Sequence, residues 1–349
     1  MRPSEDRSGV PGAARCAASE GEGFALKTAG PRESDAGALD IRSALKEGMA
    51  RLRAADVPSH TLAAELLLMH VLGRDRAWLY AHPEERIEPG EAKKYFSLVA
   101  RRAAGEPTQY LTGKQEFWGL EFEVTPAVLI PRPETEHVVE VALERLGAQS
   151  MARRSGARES GATLRLADAG TGSGCLAVAL ARELRHAEIF ATDISAAALE
   201  VARRNAARHG VAGRIHFVQT DLLSAFMVSP LATSHSLALS ESEGPLTFDL
   251  IVSNPPYVAR GDAASLQREV REHEPETALF GGPTGVEIYA RLAEQAGRLL
   301  RSGGTLVLEL GFGAADQVRA LVAAQGIWVN TSITKDLAGI PRVLATERA

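Results

Sequence analysis

The sequence predicts an α/β domain built on a mainly parallel sheet, preceded by a small helical domain. Three observations carry that prediction. From Leu164 onward, strand-like and helix-like segments alternate. A glycine-rich turn, Gly170 to Gly174, joins the first of those strands to a helix. Between Asp40 and Gly105, apolar residues recur at helical spacing, broken by prolines and glycines.

The whole-chain properties narrow the class. A length of 349 residues suggests about two domains with chain to spare. Hydrophobic residues make up 45% and charged residues 24%, the balance of a soluble globular protein. Lys and Arg total 39 against 44 Asp and Glu, a net charge of -5. That argues against a general nucleic-acid binder, which needs a basic face to neutralise phosphates. The apolar run Leu176 to Ala181 is far too short to cross a bilayer. The two cysteines, Cys16 and Cys175, lie far apart and the nine histidines show no ligand spacing, so neither a disulfide scaffold nor a metal site is expected. No secretory signal opens the chain, which makes the cytoplasm the default location.

Taken in order, residues 1–37 are rich in Gly, Pro, Ala, Ser, Arg and Glu and read as a disordered leader. Either a real tail or a start codon placed too far upstream produces such a segment. Residues 38–106 form the helical domain. Its apolar faces run through Leu62, Leu66, Leu67 and Val71, then through Ala92, Tyr95, Phe96, Val99 and Ala103. Basic and acidic residues nearly balance there. Residues 107–146 hold a strand-like run, Phe117 to Val124, and a helical one, Glu134 to Leu146. A polar linker follows at 147–163. The α/β domain spans 164–349, with strands at Leu164–Ala169, Ala187–Thr192, Arg214–Thr220, Phe248–Ser253 and Gly304–Glu309. Residues 224–247 have no clear period and read as a surface insertion.

Chemistry concentrates at two strand exits. The loop Gly170-Thr171-Gly172-Ser173-Gly174 allows a tight turn and close approach of backbone to a ligand, with helix N–H groups aimed at it. A dinucleotide fingerprint needs a further Gly or Ala where Cys175 stands, and no phosphate loop occurs anywhere in the chain. Asp193 closes the second strand, where a carboxylate can accept from both ribose hydroxyls. Asp221 closes the third, a natural place to hold an adenine. Acids in step at these strand ends suit a nucleoside without a pyrophosphate, and S-adenosylmethionine fits.

After the fourth strand comes Asn254-Pro255-Pro256-Tyr257. Two prolines stiffen the turn and leave its carbonyls free to accept. A planar NH2 group conjugated to a carbonyl or an aromatic ring is a weak nucleophile. Accepting its two N–H bonds, at Asn254 Oδ1 and the Pro255 carbonyl, orients it and raises its electron density. Tyr257 packs on its flat face. Positioning then supplies much of the catalysis, and no dedicated base is needed.

Gly170 to Gly174, Asp193 and Asn254 to Tyr257 together resemble class I S-adenosylmethionine-dependent N-methyltransferases. Further segments narrow the resemblance to the HemK/PrmC family: Pro107 to Gly113, Glu116 to Gly119, Leu129 to Glu136 and Glu274 to Gly282. It covers about residues 40–346. The resemblance implies a Rossmann-like, mostly parallel seven-stranded sheet and methylation of the glutamine in the GGQ motif of class I peptide chain release factors. It implies S-adenosylmethionine held by Gly170 to Gly174 and Asp193, with Leu222 near the adenine and Asn254 close to the cofactor. Asn254, Pro255, Pro256 and Tyr257 hold the glutamine amide, and the helical domain docks the release factor. Phe117 and Trp118 are more often core than site, though the resemblance moves Phe117 towards the pocket rim. Arg132 and Glu134 shape the cofactor-side wall or pair with each other to brace their turn. Cys175 reads as a buried structural thiol. Methylation of a nucleic-acid amino group, methylation of a ribosomal-protein glutamine, and a non-catalytic adenosyl-binding scaffold stand as alternatives.

Overall fold

A computed structural model describes residues 39–154, 163–227 and 246–349. The expected leader, the last part of the expected linker and most of the expected insertion lie outside them. The helical region holds α1 (Ile41–Ala54), α2 (His60–Leu72), α3 (Arg76–Ala81), α4 (Pro89–Ala103) and α5 (Thr108–Thr112). Asp40 and Asp75 cap α1 and α3, accepting from the Ser43 and Trp78 amides at 2.7 Å. Gly73, at φ +62°, ends α2. Tyr95 and Val99 of α4 are fully buried, and Ala92, Phe96 and Ala103 pack beside them. The buried face of α2 is Ala63, Ala64, Leu67 and Leu68, one step round from the expected stripe, and Leu62 is 46% exposed. Helix α2 is apolar on nearly every side, so its apolar spacing alone does not fix which face its neighbours cover.

The run from Phe117 to Val124 is not one strand. It bends into a hairpin of β1 (Lys114–Phe117) and β2 (Leu120–Glu123), with Trp118 and Gly119 both at positive φ in the turn. Two carboxylates secure that strained turn. Glu136 Oε1 accepts from the Trp118 amide at 2.7 Å and Glu116 Oε1 from the Gly119 amide at 2.6 Å. Helix α6 (Glu136–Arg154) runs past its expected end, so the first part of the expected linker is helical.

The main sheet comprises β3 (Leu164–Ala169), β4 (Ala187–Asp193), β5 (Ile215–Gln219), β6 (Phe248–Ser253), β9 (Leu300–Glu309), β10 (Trp328–Lys335) and β11 (Pro341–Arg348). Its order is β10-β11-β9-β6-β3-β4-β5, with β10 and β11 antiparallel to their neighbours and the rest parallel. A short parallel pair, β7 (Val258–Ala259) and β8 (Phe280–Gly282), lies apart from it. Helices α7 (Cys175–Glu183) and α8 (Ala196–Arg208) connect β3, β4 and β5. Short helices α9 (Arg268–His273) and α10 (Glu276–Leu279) follow β7, while α11 (Glu287–Leu299) and α12 (Ala315–Ala323) flank β9.

Both sheet faces are buried. Leu166, Leu250 and Val252 meet α6 and α7 on one side, and Ala167, Ile251, Leu306 and Leu308 meet α11 and α12 on the other. Each such leucine or valine taken fully out of water contributes about 1.5–3 kcal/mol before chain entropy is counted. Among the described residues, no helix is long and apolar enough to cross a membrane.

Candidate active site

The chain winds from β3 through β4 to β5, then crosses back to place β6 on the other side of β3. That reversal opens a crevice at the carboxyl ends of β3 and β6, where the glycine loop and the Asn254 turn both emerge. A cavity of about 370 Å³ occupies it. Of the residues singled out from sequence, Gly170, Thr171, Gly172, Ser173, Asp193, Asp221, Leu222, Asn254 and Pro256 line it. Gly174, Pro255 and Tyr257 do not.

Each departure has a physical cause. Gly174 caps α7 at φ +82°, and a Cβ there would meet Ala202 Cβ at 3.0 Å, so this glycine serves the packing of α7 against α8. Pro255 is buried within the turn. Tyr257 lies against Gly311, with its hydroxyl 3.5 Å from Glu309 Oε1.

The glycine loop is held from beneath. Asp168, at the end of β3, accepts from the Thr171 hydroxyl at 2.6 Å and from the Ala177 amide at 3.1 Å. The Thr171 side chain is therefore turned inward, onto Asp168. Burial raises the Asp168 carboxyl to about 7, against these two hydrogen bonds, and Oδ1 has no partner. Asn205 of α8 donates to the Ser173 carbonyl at 2.9 Å. Asp193 braces the loop directly, taking the Gly172 amide on Oδ2 at 2.9 Å and the Ser195 amide on Oδ1 at 2.8 Å. Burial raises its pKa while those amides oppose the rise. Asp221 is a partnered acid: Arg291 donates to its Oδ2 at 2.5 Å, and both residues line the cavity.

The opposite wall comes from segments between the helical region and the sheet. The Tyr110 hydroxyl of α5 donates to the Val128 carbonyl at 2.6 Å, fixing a lining residue. Arg132 pairs with Glu274 at 2.5 Å and Glu134 with Arg342 at 3.5 Å, so the two residues brace the site through distant partners, not each other. Glu274, raised by burial and lowered by Arg132, also accepts from the Ile130 amide. Arg102 of α4 pairs with Glu269 of α9. Phe117 is core, as its residue type suggests, and the shift towards the rim implied by the resemblance is a correction: it is 1% exposed, packed edge-on to Phe122 and off the cavity rim. Cys175 lines the cavity, half-buried, and burial pushes its thiol up to about 12, which keeps it an uncharged group.

At Asn254, the Nδ2 group donates to Thr135 Oγ1 at 3.0 Å. With that donor engaged, the other side of the planar amide presents Oδ1, an acceptor. Thr135 lines the cavity and was not singled out from sequence, nor were Asn205, Arg291 and Glu309. A threonine in a proline-rich turn carries no pattern that separates it from its neighbours. A glutamate ending an otherwise apolar strand, Thr305 to Leu310, is the one signal that was available.

This strand order, with a glycine loop after the first parallel strand and an acid at the tip of the next, defines a class I methyltransferase. Residues 161–324 match the family model of a methyltransferase domain, and residues 43–113 match that of the PrmC N-terminal domain. The chain is 42% identical over 306 residues to the release factor glutamine methyltransferase of Koribacter versatilis, covering 88% of this chain and 98% of that protein. It is 38% identical to that of Nitratidesulfovibrio vulgaris, covering 88% and 95%, and 41% identical to that of Moorella thermoacetica, covering 89% and 99%. The chain belongs to the release factor glutamine methyltransferase family. Among solved structures it also resembles a methyltransferase from Pyrococcus furiosus, 19% identical with a TM-score of 0.42, covering 71% of this chain and 96% of that one.

Proposed function

We propose that this enzyme transfers a methyl group from S-adenosylmethionine to the side-chain amide nitrogen (N5) of the glutamine in the GGQ motif of class I peptide chain release factors. The observation that carries the reading is the poise of Asn254. Its amide nitrogen is committed to Thr135, so an acceptor faces the crevice beside the glycine loop. An incoming primary amide offers two N–H donors and requires acceptors.

The residues present fit the methyl donor. A Cβ at Gly170 or Gly172 would meet nothing within 4 Å, so a ligand can lie directly on that backbone. Each Asp193 oxygen takes one backbone amide and keeps lone pairs for ribose hydroxyls. Leu222 and Ile194 supply apolar walls suited to an adenine, and Arg291 fixes Asp221 at that end. When bound, S-adenosylmethionine supplies an electrophilic methyl on a sulfonium.

This chain's own groups then act by placement. Asn254 Oδ1 and the Pro255 carbonyl accept the two N–H bonds of the glutamine amide, which raises the electron density on its nitrogen and orients it towards the methyl. Pro255 and Pro256 keep that turn rigid, and Tyr257, seated on Gly311 outside the cavity, supports the turn from behind. The nitrogen loses its proton after it gains positive charge, so no base is assigned. The helical region docks the release factor, and its basic and acidic residues nearly balance.

The test is methyl transfer from labelled S-adenosylmethionine to a class I release factor, with DNA and a ribosomal protein as parallel substrates. Label entering the release factor alone is expected. Label entering DNA but not the factor overturns the reading.

A further inference from the structure

Two prolines stiffen the Asn254 turn, and they also interrupt the sheet. Ser253 pairs with Leu308, so residues 254–257 leave β6 alongside residues 309–311 leaving β9. Pro255 and Pro256 carry no N–H and cannot extend that ladder. On its other edge β9 stays paired: Leu310 donates to the Arg342 carbonyl at 2.7 Å, and Glu309 stands opposite Val343. Successive peptide groups of a strand alternate sides, so the Glu309 carbonyl and the Gly311 amide point the other way, towards the strand that has ended.

Tyr289 fills that gap. It sits in the first turn of α11 and is 1% exposed. Its hydroxyl donates to the Glu309 carbonyl at 2.9 Å and accepts from the Gly311 amide at 3.1 Å. A phenol can do both at once. A phenylalanine would fill the same space and leave both backbone groups without that partner.

Gly311 is in turn the seat of Tyr257. A Cβ on Gly311 would meet Tyr257 Cδ2 at 2.8 Å and Cγ at 3.0 Å, so the ring rests directly on that backbone. The rest of the turn packs as closely against the loop that precedes α11. A Cβ at Gly281 would run into the Pro256 carbonyl, and one at Gly285 into the Tyr257 carbonyl. Glu287, also in the first turn of α11, holds that loop by accepting from the Thr284 amide at 3.0 Å and the Thr284 hydroxyl at 2.9 Å. Contacts this close leave no slack to absorb a shift. A displaced Gly311 therefore displaces Tyr257 and, through two rigid prolines, Asn254. We propose that Tyr289 is a positioning residue for methyl transfer: its hydroxyl replaces the ladder bonds that Pro255 and Pro256 cannot make, and so holds Gly311 as the seat on which Tyr257, and with it Asn254, is fixed.

Its effect on catalysis rests on the function proposed above, and the experiment keeps the two apart. Full-length wild type, Tyr289→Phe, Tyr257→Ala and the double variant are compared, well below the lowest melting temperature of the four. kcat, both KM values and thermal stability are measured for each. In parallel, hydrogen exchange followed by mass spectrometry reads the segments 254–259 and 309–313 without substrate. Tyr289→Phe is expected to lower kcat about tenfold, with the KM for S-adenosylmethionine changed less than about twofold. On the Tyr257→Ala background the same substitution should lower kcat less than about twofold, because the seat it secures is already empty, while the melting temperature still falls. A hydroxyl that only stabilised the core would lower stability on both backgrounds and kcat on neither. Exchange should quicken in both segments of Tyr289→Phe and stay unchanged in α1 and α4.

Wild-type kcat in Tyr289→Phe, or an equal loss of kcat on both backgrounds, would overturn the proposal. Should wild-type enzyme transfer no methyl to release factor, the functional reading falls. Unchanged exchange in both segments would then still refute the role of Tyr289, and faster exchange there would support it.

Discussion

Gly172 and Gly174 lie two residues apart in one loop, yet the structure assigns them different work, and alanine at each separates it. Both have positive φ, +54° and +82°. An alanine there costs about 1–2 kcal/mol from the left-handed backbone alone. At Gly174 the new Cβ also meets Ala202 Cβ at 3.0 Å and Cα at 3.2 Å, against backbone that cannot swing aside. Overpacking of that kind adds about 1–3 kcal/mol, for a total of about 2–5 kcal/mol. At Gly172 nothing lies within 4 Å, so the methyl projects into the crevice rather than into protein. Gly172→Ala should therefore keep most of its stability and bind S-adenosylmethionine at least about tenfold more weakly, roughly 1.4 kcal/mol. Gly174→Ala should show the larger drop in melting temperature, at about 2–4 °C per kcal/mol. Thermal denaturation without ligand and calorimetric titration of the cofactor measure the two quantities separately. Wild-type cofactor affinity in Gly172→Ala, or equal destabilisation of the two variants, would refute this division of labour.

Asn254→Ala removes one acceptor for a group that gains positive charge, worth about 1.5–3 kcal/mol. Its kcat should fall at least about tenfold, and further as alignment is lost. Cofactor affinity measured by titration should change little. Gly281→Ala places a Cβ against the Pro256 carbonyl and 2.8 Å from the Gly285 carbonyl, so methyl transfer should collapse together with about 3 kcal/mol of stability. Paired melting curves and activity assays check it. The buried Glu309 carboxyl stands near 7 when folded against an ordinary 4.5, so between those values the folded chain holds a proton that the unfolded chain releases. Its contribution is therefore most favourable at low pH and is lost as pH rises to about 7, with an upper bound of about 3 kcal/mol. Glu309→Gln, which cannot ionise, should gain stability relative to wild type as pH is raised from about 5 to 8. Parallel denaturation at both pH values measures that trend, and the opposite sign would mean the carboxyl ionises easily in the fold.

The parts of the molecule legible from sequence are those with local causes. The five parallel strands are short apolar runs bounded by turns, and the glycine loop and Asn254 turn announce themselves by composition. β10 and β11 were expected only through resemblance. β10 is an edge strand with mostly exposed residues and an irregular register around Asn330, so it carries no alternation to read. The Trp118 turn was hidden because one of its two positive-φ residues is a tryptophan, held there by Glu136 from 18 positions away, with Gly119 the only local turn signal. The supporting shell was illegible for the same reason. Thr135, Asn205 and Glu309 act through partners 119, 32 and 52 positions away, and single-residue patterns do not encode such meetings. Arg132 and Glu134 sit two residues apart and look like a pair, yet each reaches a different distant partner.

The central claim is that the Asn254 turn holds one glutamine amide for methylation. The most direct measurement is tandem mass spectrometry of a class I release factor after incubation with wild-type enzyme or Asn254→Ala and S-adenosylmethionine. A single added methyl on the side-chain nitrogen of the GGQ glutamine, present with wild type and absent with the variant, is the predicted result. A methyl on another residue, or equal modification by Asn254→Ala, would contradict it.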